Sequence, residues 1–239
     1  MRMKKTGLTL AALLAATTLV GCGAEDGSQK VVDAPASAAP GGAGDADGGF
    51  LKSLQDRGDL VTVYRSLEEA AAAESIVATG VIDRVAAGRT TVQTTAPGLE
   101  ARDQTAVVRI RIVRVYKAAD VKLDDAFAYV TLRRGAEATA ADGAPIGAGP
   151  STVTSIGALG KALPSGTRVI LVTSPVPPPR PGADSGRVVT PEAGTSHGAP
   201  LLEGDVSQLF SIEDGDGRLT GWPSMTYDDA VAALEKAFP

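Results

Sequence analysis

The chain of 239 residues holds a single imidazole, His197, and a single thiol, Cys22. His197 sits in Thr195-Ser196-His197-Gly198, within a stretch rich in glycine and proline. A catalytic imidazole must be held against its nucleophile and oriented by a third group, which such a segment does poorly. One cysteine and one histidine also leave no disulfide framework and no zinc cluster. The sequence contains no phosphate-binding loop and no His-Glu-x-x-His motif. These absences predict a non-enzymatic protein that needs neither cofactor nor metal.

Carboxylates offer the remaining route to catalysis, through Asp124 with Asp125 or Asp214 with Asp216. Hydrolytic pairs face each other across about 5 to 9.5 Å, whereas neighbours along a strand point to opposite faces. A hydrolase or accessory acting on cell-wall material is therefore the rival reading. Glu213-Asp214-Gly215-Asp216-Gly217 also invites a calcium loop. With Gly217 as the sixth position, however, the first and twelfth fall on Ile212 and Pro223, where carboxylates are needed. An Asp-Gly turn between two strands explains the same residues.

The positive charges gather where strands are expected: Arg84, Arg109, Arg111, Arg114, Lys117, Arg133 and Arg134. Arg109, Arg111 and Arg114 are the candidate binding residues for an envelope protein or an anionic envelope polymer. Alternating charges on a solvated strand face look the same. The chain has 28 acidic against 23 basic residues, a net charge of −5, so as a whole it is a poor partner for nucleic acid. Stacking residues are few, with Tyr116, Phe127 and Tyr129 the candidates. A small-ligand carrier is a third reading, although only 4% of residues are aromatic.

The elements that must position these residues are mainly strands. Ala106 to Tyr116 alternates strictly at first, with Val108, Ile110 and Ile112 opposite Arg109 and Arg111. The phase then slips, because Val113 and Val115 are apolar while Arg114 takes an even position, which predicts either a β-bulge or a strand passing from one sheet layer to another. Ser75 to Val85 reads as a strand bent at Gly80; Ala126 to Arg133, Thr167 to Ser174 and Val206 to Glu213 complete the set. Ser66 and Glu69 have capping-box spacing ahead of a short N-terminal helix. A C-terminal helix runs from Thr226 to about Phe238, with Val231, Leu234 and Phe238 as its docking stripe. Trp222-Pro223 is expected to cover a barrel end. Residues 86–104, 135–165 and 175–204 are rich in glycine, proline and threonine and read as long flexible loops.

The first residues carry an address. Arg2, Lys4 and Lys5 precede an uncharged run from Thr6 to Val20, which at about 22 Å of helix is too short to span a bilayer. Residues 1–21 therefore read as a signal peptide. Leu19-Val20-Gly21-Cys22 resembles the bacterial lipobox, which implies that Cys22 is acylated and becomes the first residue of the mature protein. The expected partner of acylated Cys22 is the lipid bilayer, and the expected location is the extracytoplasmic face of the cell membrane. Residues 22–49, poor in large aliphatic side chains, read as a disordered tether with a reach of roughly 29 Å. Residues 50–239 are left as the β-rich globular domain.

Ile76-Val77 through Gly80-Val81, then Val113 to Lys117, then Leu163 through Val172 form a pattern similar to uncharacterised envelope lipoproteins. Their domain resembles the OB-like barrel of the netrin and tissue-inhibitor class. The resemblance implies a small, partly open OB-like β-barrel with a binding face made by strands and loops. It does not carry over metalloprotease inhibition, because this chain has no pairing cysteine and Cys22 would be acylated.

Overall fold

A computed structural model describes residues 46–55, 63–119, 121, 123, 126–146, 152–177, 186–190, 195 and 199–239. All of them fall in the unit Ala34–Pro239. Cys22, the expected signal peptide, His197, Asp124 and Asp125 lie outside the described residues.

The backbone of the fold is a meander of three long strands, β1 (Ile76–Ala96), β2 (Leu99–Ala118) and β3 (Phe127–Ala140), paired antiparallel. β4 (Arg168–Thr173) adds antiparallel to the start of β1. β5 (Arg187–Thr190) adds to the far end of β1. β6 (Leu201–Glu203) lies parallel to β3, and β7 (Phe210–Ile212) pairs with β4. The resulting order β6-β3-β2-β1-β4-β7 curls without closing into a barrel. The gap is bridged by the residues that continue β4: Val176 N donates to Leu201 O at 2.8 Å and Glu203 N to Ser174 O at 3.1 Å. The expected mainly β, partly open barrel is what the chain forms.

Alternation sends side chains to two separate apolar layers. Along β4, Val169 and Leu171 point into the curl with Ile82, Val108 and Ile110, while Ile170 and Val172 point outward. The inner layer is sealed by two helices, α1 (Gly48–Leu54) and α3 (Ile156–Ala162), through Leu51, Leu54 and Leu159. α1 includes Gly48 and Gly49, the last residues of the expected tether. The outer layer is covered by α2 (Leu67–Ala73) and α4 (Tyr227–Ala237), with Leu67, Tyr227 and Leu234 buried against Val77 and Ile170. Trp222 also belongs to this outer layer, 7% exposed, and not to a barrel end.

Each helix begins on a short polar cap, as the backbone amides of a first turn require: Asp47, Ser66, Ser155 and Thr226. Thr226 and Asp229 form a complete capping box. In α2 the box is displaced by one residue, since Glu69 accepts from Arg65 N, not from Ser66 N.

The three expected loops need correction. Residues 86–104 are the far halves of β1 and β2, joined at Pro97-Gly98, with Gly98 at φ +78°. Threonine is a strand former, and Pro-Gly supplies the φ values of a tight turn, so the segment forms a hairpin. Residues 135–140 extend β3 alongside it, and the rest of 135–165 supplies α3. Within 175–204 lie β5 and β6. Together β5, β1, β2 and β3 make an arm that prolongs the barrel wall. Its start is marked by register shifts between Ala87 and Thr90 on β1 and between Gln104 and Thr105 on β2, opposite Arg134 and Gly135.

Candidate functional site

The arginine set stands on β2, and its common orientation depends on one inserted residue. Arg111 is paired with Val81, Ile112 with Gly80, and Arg114 with Thr79, so Val113 has no partner on β1. Of the two outcomes that the slipped hydrophobic phase allows, the strand takes the bulge. Without it Arg114 and Tyr116 would follow Ile110 and Ile112 into the curl. With Val113 inserted they turn outward, and Arg109, Arg111 and Arg114 share the outer face. Val113 itself is 58% exposed.

Each arginine is held differently. Arg109 Nε donates to Asp83 Oδ2 at 2.7 Å, and its guanidinium lies 4.5 Å from the Phe127 ring centre. Asp83 is itself the extra residue of a bulge, between Ile82 opposite Ile110 and Arg84 opposite Arg109. Arg114 pairs with Glu235 of α4 and lies 4.8 Å over Tyr116. Arg111 and Arg84 are exposed, and neither has an ion pair among the described residues. The outer face therefore combines two neutralised arginines with two whose charge is not offset.

The other expected cations serve the fold. Lys117 Nζ donates to Ala71 O and Ala72 O at 3.1 and 2.9 Å, closing the C-terminal end of α2. Arg133 pairs with Asp103, and Arg134 donates to Gln104 Oε1 at 2.5 Å. Burial lowers the pKa of Arg134. The aromatic candidates are unsuited to stacking on a ligand: Tyr116 and Tyr129 are 7% and 3% exposed, and Phe127 lies against Arg109.

The Asp214 to Gly217 segment is a turn. Asp214 Oδ1 accepts from Asp216 N at 3.0 Å and Arg218 N at 2.9 Å, and Asp214 N donates to Arg218 O at 2.8 Å. That carboxylate is committed to backbone amides, which is the Asx-turn role of aspartate.

Several polar residues that the sequence does not single out anchor the layers. Arg168 pairs with Glu213, with Nε to Oε2 at 2.6 Å, and with Asp228 at 2.9 Å, and lies 4.4 Å over Tyr227. Glu213 is 3% exposed, and its hydrogen bond is the largest cause of the raised Arg168 pKa. Glu74 accepts from Tyr64 Oη at 2.5 Å and from Ser174 Oγ at 2.6 Å, tying α2 to the end of β4. Burial, then Glu74, pushes the Tyr64 pKa up to about 12. At the barrel seam Asp205 accepts from Arg133 N at 2.5 Å, and burial pushes its pKa up to about 6. None of these has a signal in local sequence, because each joins residues 10 or more apart.

Among the described residues no group of three or more His, Cys, Asp or Glu side chains is placed to hold a metal ion, and no helix is long and apolar enough to cross a membrane. The chain matches no family model, no curated protein and no solved structure.

Proposed function

We propose that this protein is a lipid-anchored binding module of the cell envelope, held on the extracytoplasmic face of the membrane by acylated Cys22. Its barrel presents the β2 arginine face to an anionic envelope polymer. The observation that carries the binding reading is the bulge at Val113, which brings Arg114 onto the same face as Arg109 and Arg111. Arg84 and Arg111 supply the charge that no carboxylate among the described residues offsets, and Asp83 and Phe127 hold Arg109 in place between them. A local cationic face on a chain of net charge −5 selects a partner by position, not by overall attraction.

The lipobox-like Leu19-Val20-Gly21-Cys22 supports the anchoring half, and two or more acyl chains suffice for stable attachment. A hydrolytic role finds less support. Asp214 is spent on its turn, and the outer face offers arginines where a facing carboxylate pair would be needed.

The experiment is chemical cross-linking in the native envelope of the intact protein, beside Cys22→Ala and Arg84→Glu/Arg111→Glu variants. The wild type is expected to remain with membranes and to capture a reproducible polymer adduct. Cys22→Ala is expected in the soluble fraction, and the arginine variant is expected to lose the adduct while staying on the membrane. Membrane retention of Cys22→Ala, or an adduct indifferent to the arginines, would overturn the corresponding half.

A further inference from the structure

The four arginines of the outer face are not equally available to a ligand. Arg84 and Arg111 are exposed and have no ion pair among the described residues. Arg109 is fixed in place: its Nε and Nη2 meet Asp83 Oδ2 at 2.7 and 2.5 Å, and its guanidinium lies against the Phe127 ring. Both side chains of that pair are largely covered, and both stand on adjacent strands of the wall. Arg114, at the α4 end of the row and opposite Thr79, pairs instead with Glu235 from the last turn of α4. The Arg114 and Glu235 side chains are 50% and 49% exposed, and no other ion pair among the described residues has both partners so open to water.

Stability does not account for this pair. α4 is docked through Tyr227, Ala230 and Leu234 and capped by Thr226, and an ion pair exposed on both sides adds little to that. The last turn of a helix is also where the backbone frays, so Glu235 can withdraw without disturbing the packed face. Arg114 keeps its place without it. Its guanidinium lies 4.8 Å over the ring of Tyr116, which is buried in the outer layer. A carboxylate on that guanidinium does what an anionic group of a polymer would do there.

We propose that Glu235 is an internal competitor for the polymer, occupying Arg114 in the free protein and yielding it to a polyanion that reaches along β2. The inference rests on the arginine face being the polymer site and adds how that site is regulated. The free face presents Arg84 and Arg111 alone. Arg114 lies three residues beyond Arg111, roughly 10 Å of strand, so a single small anion bound at Arg111 does not reach it. An extended polymer does, and its next anionic group displaces the Glu235 carboxylate. Glu235 thereby holds the affinity of the face below what its cations could supply.

The test is a double-mutant cycle read by calorimetric titration with dextran sulfate, on the full chain bearing Cys22→Ser as parent. Glu235→Gln is expected to bind about two- to fivefold more tightly than the parent. Its plot of log affinity against log salt is expected to steepen by about one, because one more cation now meets the polymer. Arg114→Gln alone is expected to change affinity by less than about twofold, since its charge is already offset, and to cancel the gain when combined with Glu235→Gln. Asp228→Asn removes the same charge from the other end of α4 and is expected to leave the salt slope as it is. Circular dichroism and melting temperature are expected to be the same for Glu235→Gln and the parent. Unchanged affinity and slope in Glu235→Gln, a gain that persists without Arg114, or an equal gain in Asp228→Asn overturns the inference and leaves the arginine face standing. A parent chain that does not bind dextran sulfate overturns the arginine face, and the inference with it.

Discussion

Arginine does two different jobs in this protein, and burial of its partner decides which. Arg168 serves Glu213, a carboxylate that is 3% exposed, whereas Arg114 serves Glu235, which is half-exposed. Removing the partner of a buried charge is expensive, while an exposed pair contributes little. Arg168→Ala is therefore expected to cost about 3 kcal/mol in urea unfolding, and Arg114→Ala under about 1 kcal/mol. Asp205 sets a pH dependence of its own. Its pKa of about 6 in the fold lies above its ordinary 3.8, so its contribution to stability is complete below about 4 and is lost as pH rises through 6. Asp205→Asn keeps the acceptor for Arg133 N and is expected to flatten that part of the curve, raising stability at pH 8 relative to wild type. Equal slopes for the two proteins between pH 4 and 8 would contradict this. Arg109 and Arg111 are legible in the sequence because strand alternation displays them, whereas Arg114 reaches their face only through the inserted Val113. Arg168, Glu213 and Asp205 are not, since their partners arrive from other elements.

The elements show where local pattern suffices and where it misleads. The phase slip at Val113 announces its bulge, because a buried strand tolerates an apolar residue on the wrong face only if the backbone is re-registered. α4 is equally plain: Thr226 caps it, Asp229 completes the box, and Leu234 is fully buried against the outer layer. Leu234→Ala is expected to cost about 2–5 kcal/mol, and Thr226→Ala about 1 kcal/mol, by denaturant unfolding. Comparable losses for the two would mean that α4 is held by its cap more than by its packing. The arm misleads because its residues are polar on one face and small on the other. Thr90, Thr91 and Thr94 look like linker composition, yet they lie on a strand that returns at a Pro-Gly turn and pair with Gln104, Asp103 and Glu100. α3 is hidden similarly, since Gly157 and Gly160 dilute the stripe that buries Leu159.

At the scale of the whole molecule, one curled sheet separates two apolar layers, and what remains outside them is the β2 face and the arm. The barrel class is legible from the number and spacing of the strands. The seam is not, because β6 has three residues and its pairing with Ser174 to Val176 joins segments far apart in sequence. In the functional account, the rigid wall of β1, β2 and β3 holds Arg84, Arg109, Arg111 and Arg114 at fixed spacing. The most direct test is calorimetric titration of the full chain bearing Cys22→Ser with dextran sulfate, a defined polyanion, against neutral dextran. Saturable binding is expected with dextran sulfate alone, weakening as salt is raised and abolished by Arg84→Glu/Arg111→Glu. Equal binding of both polymers, or binding that survives the double substitution, would contradict the arginine face as the site.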